Sequence, residues 1–133
     1  MNLKQKLISA LTISFLSIFP LQSHGENYPG PHGGKIKMPG TFHTEVLTYK
    51  NLGYKIFLLD INFQNPISIN SSVYAKVKSK GKDYSLKCSA HPDHFYCERT
   101  GETTEKDEEL LITAERSSQK GIEIKYLLPL ERN

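Results

Sequence analysis

Along residues 41–133 the apolar positions recur with a period of two, in short runs separated by turn-forming residues. Val73, Ala75 and Val77 alternate with Tyr74, Lys76 and Lys78, and the set Ile122, Ile124, Tyr126 and Leu128 repeats the pattern. Side chains on a strand alternate between two faces, so this spacing predicts strands with one face toward a core. Residues 54–61 are almost continuously apolar, which predicts a central strand. Seven strands are expected, at 42–48, 54–62, 72–79, 84–90, 95–99, 109–115 and 121–128, with loops at 79–83 and 117–120. No helical periodicity occurs beyond the first 25 residues. Short antiparallel strands at this density predict an all-β, immunoglobulin-like β-sandwich, although the chain has no Trp to place at its centre. The preceding segment, 26–40, holds four glycines and three prolines. Such a composition excludes a regular strand interior, so an ordered loop or flexible arm is expected before a single domain at 41–133.

The first 25 residues follow a different pattern. Lys4 and Lys6 precede an uncharged apolar run at 7–19, Pro20 breaks it, and the small residues Ser23 and Gly25 follow. This is the layout of a cleaved signal peptide, with the mature chain starting at Glu26. The run is roughly 13 residues long against the roughly 20 that span a bilayer, so no stable membrane anchor is expected. The protein is therefore read as periplasmic or secreted. Removing Lys4 and Lys6 lowers seventeen basic residues to fifteen, against fourteen acidic ones. That balance, with no arginine-rich patch, excludes a nucleic-acid partner. The charge runs Lys76, Lys78, Lys80, Lys82 and Glu102, Glu105, Asp107, Glu108, Glu109 read as solvated strand faces and a loop.

Two cysteines and five histidines hold the candidate chemistry. Cys88, His91, His94 and Cys97 are spaced by three, as in a two-Cys, two-His zinc site. Strand geometry opposes one shared site. With Pro92-Asp93 as the turn, Cys88 lies opposite Cys97 and His91 opposite His94, and the two pairs occupy different faces. A Cys88–Cys97 disulfide is expected, consistent with an even cysteine count in an exported protein. His91 and His94 are then either exposed loop residues or a surface pair able to hold a metal.

The second candidate is His43 with Glu45, two residues apart and so on one strand face, opposite Phe42, Thr44 and Val46. An imidazole and a carboxylate on a rigid strand offer two metal donors. His32, flanked by glycines, could fold back to supply a third. Imidazole and carboxylate suit zinc, copper(II) or nickel, and Met38 would add a soft ligand for copper(I). The competing reading is an ordinary polar strand face beside an arm.

The stretch Gly30-Pro31-His32-Gly33-Gly34, followed by Gly40, Phe42 and Glu45, resembles the opening of periplasmic domains in heavy-metal efflux adaptor proteins, and of small standalone periplasmic proteins that share it. The resemblance implies a β-sandwich and a metal-handling role for His32. It covers residues 30–45 and includes none of the adaptors' helical-hairpin, lipoyl-like or barrel parts.

No Gly-x-Ser-x-Gly elbow, nucleotide loop or His-Glu-x-x-His helix is present, so an enzyme is not expected. Two functions remain. The first is an exported metal-binding protein, a carrier, buffer or sensor of a divalent transition metal such as zinc or copper, with His32, His43 and Glu45 as ligands and His91 or His94 assisting. The second is a non-catalytic interaction or structural module of the cell envelope with incidental histidines. Intact mass spectrometry of exported protein should give a chain beginning at Glu26; a mass that retains residues 1–25 refutes cleavage. A start at His24 would instead place an amine and ring where a copper brace needs them.

Overall fold

The computed structural model describes residues 29–50, 53–100 and 106–130, so the expected signal segment lies outside the described residues. Among these there is no α-helix, and no helix long and apolar enough to cross a membrane. The strands are β1 (Lys35–Lys37), β2 (His43–Tyr49), β3 (Gly53–Leu59), β4 (Ser72–Ser79), β5 (Lys82–Ser85), β6 (Lys87–Ala90), β7 (Phe95–Glu98), β8 (Glu108–Arg116), β9 (Gln119–Lys120) and β10 (Ile124–Leu128). They form two antiparallel sheets, ordered β1-β2-β3-β7-β6 and β10-β8-β4-β5, with β9 paired to β8.

The period-two pattern decides what each sheet buries. Val73, Ala75 and Val77 of β4 join Leu110, Ile112 and Ala114 of β8. They share one apolar core with Val46, Tyr54, Ile56, Leu58 and Phe95 of the first sheet. Polar atoms inside that core are paired. The Thr44 and Tyr126 hydroxyls lie 2.7 Å apart, linking β2 to β10, and the Tyr126 hydroxyl also donates to the Thr44 carbonyl at 3.1 Å. Arg99, just after β7, donates to both carboxylate oxygens of Glu108 at 2.6 and 2.9 Å. Both partners are buried, so Glu108 departs from the solvated loop expected of its charge run.

Two tight hairpins set the register of the second sheet. Lys80 and Gly81, between β4 and β5, both have positive φ, as do Ser117 and Ser118 between β8 and β9. Positive φ at both central residues is the turn whose twist matches that of the flanking strands.

The expected seven strands become ten, for three local reasons. First, the 26–40 segment is not wholly irregular. Lys35–Lys37 pairs with β2, and Ile36 is buried opposite Glu45. Second, the stretch 84–90 is not one strand. It crosses from one sheet to the other at Leu86, whose N–H donates to the Ala75 carbonyl at 2.9 Å and whose side chain packs against the core. Third, Gln119–Lys120, expected as part of a loop, pairs with β8 as β9, and the strand expected from 121 begins at Ile124. Gly121 and Ile122 instead bond to the carbonyls of Ala114 and Pro39, leaving the Ile122 side chain 71% exposed.

The hairpin of β6 and β7 has the expected register, with Cys88 opposite Cys97 and the His91 N–H donating to the His94 carbonyl at 2.8 Å. The cysteines form a disulfide with a Cα–Cα distance of 4.0 Å, Cys97 being fully buried. Thiol labelling of denatured, unreduced protein should therefore find no free thiol. Replacing both cysteines by Ser should lower the unfolding free energy by about 2–3 kcal/mol, the loop-closure value for a ring this short; denaturant titration of the double variant measures it.

Candidate functional site

Proline and glycine shape the arm that covers the outer face of the first sheet. Gly30 to Gly33 form a turn closed by the Gly33 N–H and the Gly30 carbonyl at 2.8 Å, with Pro31 at the second position, which its fixed φ favours. Gly33 has φ +80°, a backbone conformation that side chains disfavour. A Cβ at Gly30 would collide with the Glu45 carboxyl group, so that residue permits the closest approach of the arm.

The arm closes on Glu45, which is 0% exposed. Its Oε1 accepts the N–H groups of His32 at 2.8 Å and Gly34 at 3.0 Å, and its Oε2 meets His32 Nδ1 at 2.7 Å. A carboxylate buried this deeply is tolerated because both of its oxygens are hydrogen-bonded. Its two oxygens therefore have partners within the fold, and Glu45 is not an open metal ligand. His43 does share its strand face with Glu45, but that face is not solvated: His43 is 3% exposed. Its ring stacks on Phe63 at 4.1 Å, and its Nδ1 donates to the Asp60 carbonyl at 3.0 Å. Among the described residues no buried side-chain nitrogen or oxygen lacks a hydrogen-bond partner, so neither residue needs a metal to be satisfied.

Asp60 fixes the turn that carries Phe63. Its Oδ1 accepts the N–H groups of Gln64 and Asn62, each at 2.9 Å, and its Oδ2 accepts the Asn65 amide at 2.6 Å. The Gln64 N–H, chiefly, holds this carboxyl below its ordinary value of 3.8, against an opposing effect of desolvation.

The remaining histidines meet across the sheet. Glu45 pairs with Phe57 of β3, and the His32 ring lies flat on Phe57 with centroids 3.8 Å apart. On the neighbouring hairpin tip, His94 sits 5.4 Å from Phe57, and His91 stacks on His94 at 4.7 Å. His32, Phe57, His94 and His91 thus form one continuous aromatic row. The His94 Nδ1 lies 2.7 Å from Asp93 Oδ1, and the Ser68 hydroxyl donates to the His91 carbonyl, tying the tip to the 66–70 loop. The bond from His94 holds the Asp93 carboxyl below its ordinary 3.8, and His32 adds a smaller electrostatic contribution in the same direction. Asp60 and Asp93 both have depressed values, so what they contribute to stability is present above pH 3.8 and is lost as the pH falls through the folded-state values.

The structure therefore divides the expected ligand set. His32 and His94 each contact Phe57 and His91 stacks on His94, while His43 and Glu45 take structural partners. Among the described residues no three His, Cys, Asp or Glu side chains stand grouped as a metal-holding set. Both cysteines are consumed in the disulfide, and Met38, after β1, is 46% exposed. Sequence reasoning did not single out Phe57, Phe63 or Asp93. The apolar alternation gave no sign that the outer face carries two rings on which imidazoles stack. Asp93 was legible only as a turn residue. Comparison with protein-family models, with curated proteins and with solved structures finds no match to this chain.

Glu45→Ala should cost about 2–4 kcal/mol, since it strands two backbone N–H groups beneath the arm. Gly33→Ala, at an open position with positive φ, should cost about 1 kcal/mol. Denaturant unfolding of both variants checks the order; equal costs would mean that the carboxylate does not pin the arm.

Proposed function

We propose that this chain is an exported metal-binding protein that holds a divalent transition metal at the imidazole row of the first sheet, acting as a carrier, buffer or sensor. The observation that supports this reading is the row in which Phe57 touches His32 and His94 and His94 touches His91, drawn from an arm and a hairpin far apart in sequence. Two features of the sequence agree with it. The Lys4–Gly25 pattern directs export, and the Gly30–Gly34 motif resembles that of periplasmic metal-handling domains. A disulfide also suits an oxidising compartment. In this reading the two sheets and their shared core make an immunoglobulin-like sandwich.

The ligand set is redrawn to His32, His94 and His91. These three imidazoles would hold the ion and water would complete its coordination; His91 is exposed at the hairpin tip. An imidazole set with open positions favours exchange over permanent storage. Thiolates are absent from the set, so zinc, copper(II) and nickel fit better than copper(I).

A second reading, an interaction or structural module of the envelope, is favoured by one observation. Tyr74 and Leu127 lie 73% and 70% exposed on strands of the second sheet, remote from the histidines in the strand order.

Calorimetric titration of zinc and copper(II) into the mature, untagged protein separates the two. The metal reading expects one equivalent at micromolar affinity or tighter, weakened at least tenfold in His94→Ala and little changed in His43→Ala. Affinity should also fall in acid, where protons compete for neutral imidazole. Binding no tighter than millimolar, or an unaffected His94→Ala, would leave the module reading.

A further inference from the structure

β10 is paired on one side only, so half of its peptide groups meet β8 and half face outward. Which half is fixed by the Gly121 N–H, which donates to the Ala114 carbonyl at 2.9 Å. Ala114 therefore turns its peptide groups toward the β10 side, and by alternation so do Ile112 and Leu110. Their partners in the register are Ile124 and Tyr126. The N–H and C=O groups of Lys125 and Leu127 are left on the outer edge, and no hydrogen bond to them forms among the described residues.

This edge borders a cleft of about 260 Å³ between β1 and β10. Tyr126, Leu127 and Leu130 line it on the β10 side. Lys35 and Lys37 line it on the other, because their pairing with Val46 and Thr44 turns both side chains toward the second sheet. The Lys37 ammonium stands 5.6 Å from the centre of the Tyr126 ring. Among the described residues that line the cleft, none is acidic.

We propose that the outer edge of β10 is a docking site for an extended, acidic segment of a partner protein, which adds as a strand to Lys125 and Leu127 and sets its carboxylates against Lys35 and Lys37. Two observations select this occupant. An exposed strand edge calls for alternating donors and acceptors, which a polypeptide backbone supplies and a fatty acid or a free anion does not. The cleft carries two cations and no anion, so the matching strand carries acidic side chains. A second copy of this chain does not fit. Its Ile124–Leu128 contains a lysine and no acid, and it would bring its own Lys35 and Lys37 to the contact. The site shares no residue with the imidazole row and does not depend on metal binding.

The probe is the capped hexapeptide acetyl-Glu-Val-Glu-Val-Glu-Val-amide, titrated into the protein while the backbone amides are followed by NMR. It should bind saturably, shift the Lys125 and Leu127 amides and slow their exchange with solvent. Lys37→Glu should weaken binding about tenfold, and the counterpart acetyl-Lys-Val-Lys-Val-Lys-Val-amide should bind at least that much more weakly. Leu127→Pro removes one outward N–H at an edge position, where proline leaves the ladder to β8 intact, and should weaken the acidic peptide by a similar factor. An acidic peptide that leaves the β10 amides unmoved overturns the proposal, and so does equal affinity for the two peptides. Binding unaffected by Lys37→Glu or by Leu127→Pro refutes it too. Where only Leu127→Pro is without effect, the cleft is an anion site instead, and octanoate should displace the peptide.

Discussion

A carboxylate with no access to water must find its hydrogen bonds in the chain, and Glu45 imposes that constraint on everything around it. Its neighbours on the flanking strands, Ile36 and Phe57, are apolar and have nothing to donate. The donors have to come from above the sheet, and the Gly30–Gly34 turn supplies them. The order of residues in that turn follows. Pro31 starts it, Gly33 supplies the positive φ, and Gly30 leaves room for the carboxyl group. With the turn pinned, Lys35–Lys37 is delivered as a strand beside β2, and the His32 ring comes to rest on Phe57.

The sequence was most legible where a single period governs burial. The alternation of Val73, Ala75 and Val77, and the pairing of Cys88 with Cys97, depend only on side chains pointing to opposite faces, and both are present. Legibility failed where a second layer covers a strand. His43 and Glu45 read as a solvated face because they are polar, yet the arm and the Asp60 turn bury them. Whether a polar face is covered depends on contacts formed across 11 to 17 residues of chain, which no local pattern encodes. The same limit hid Glu108, whose burial depends on finding Arg99. It also hid the break at Leu86, since a strand that changes sheets keeps its alternation on either side.

The hairpin of β6 and β7 illustrates how one short ribbon separates two chemistries. Its inward face carries Phe95 and the disulfide sulfur of Cys97, both buried. Past the last strand pair, His91 and His94 face each other and turn toward the outer layer. Disulfide and imidazole, close in sequence, are kept apart by the sheet itself, and the bridge braces the base of the hairpin whose tip holds the rings.

The crossing at Leu86 ties the two sheets together along one side. Because β5 and β6 are one run of chain shared between them, the sheets cannot separate along that side without breaking it. Along the opposite side, β1 and β10 end their sheets, β1 carrying only the Pro29–Lys35 bridge on its outer side, with a cleft of about 260 Å³ between them, lined by Ile36, Lys37, Tyr126 and Leu130. There the Thr44–Tyr126 hydroxyl pair acts as a latch. β10 is the edge strand of its sheet and β4 is paired on both sides, so the amides of β10 are the less protected from solvent.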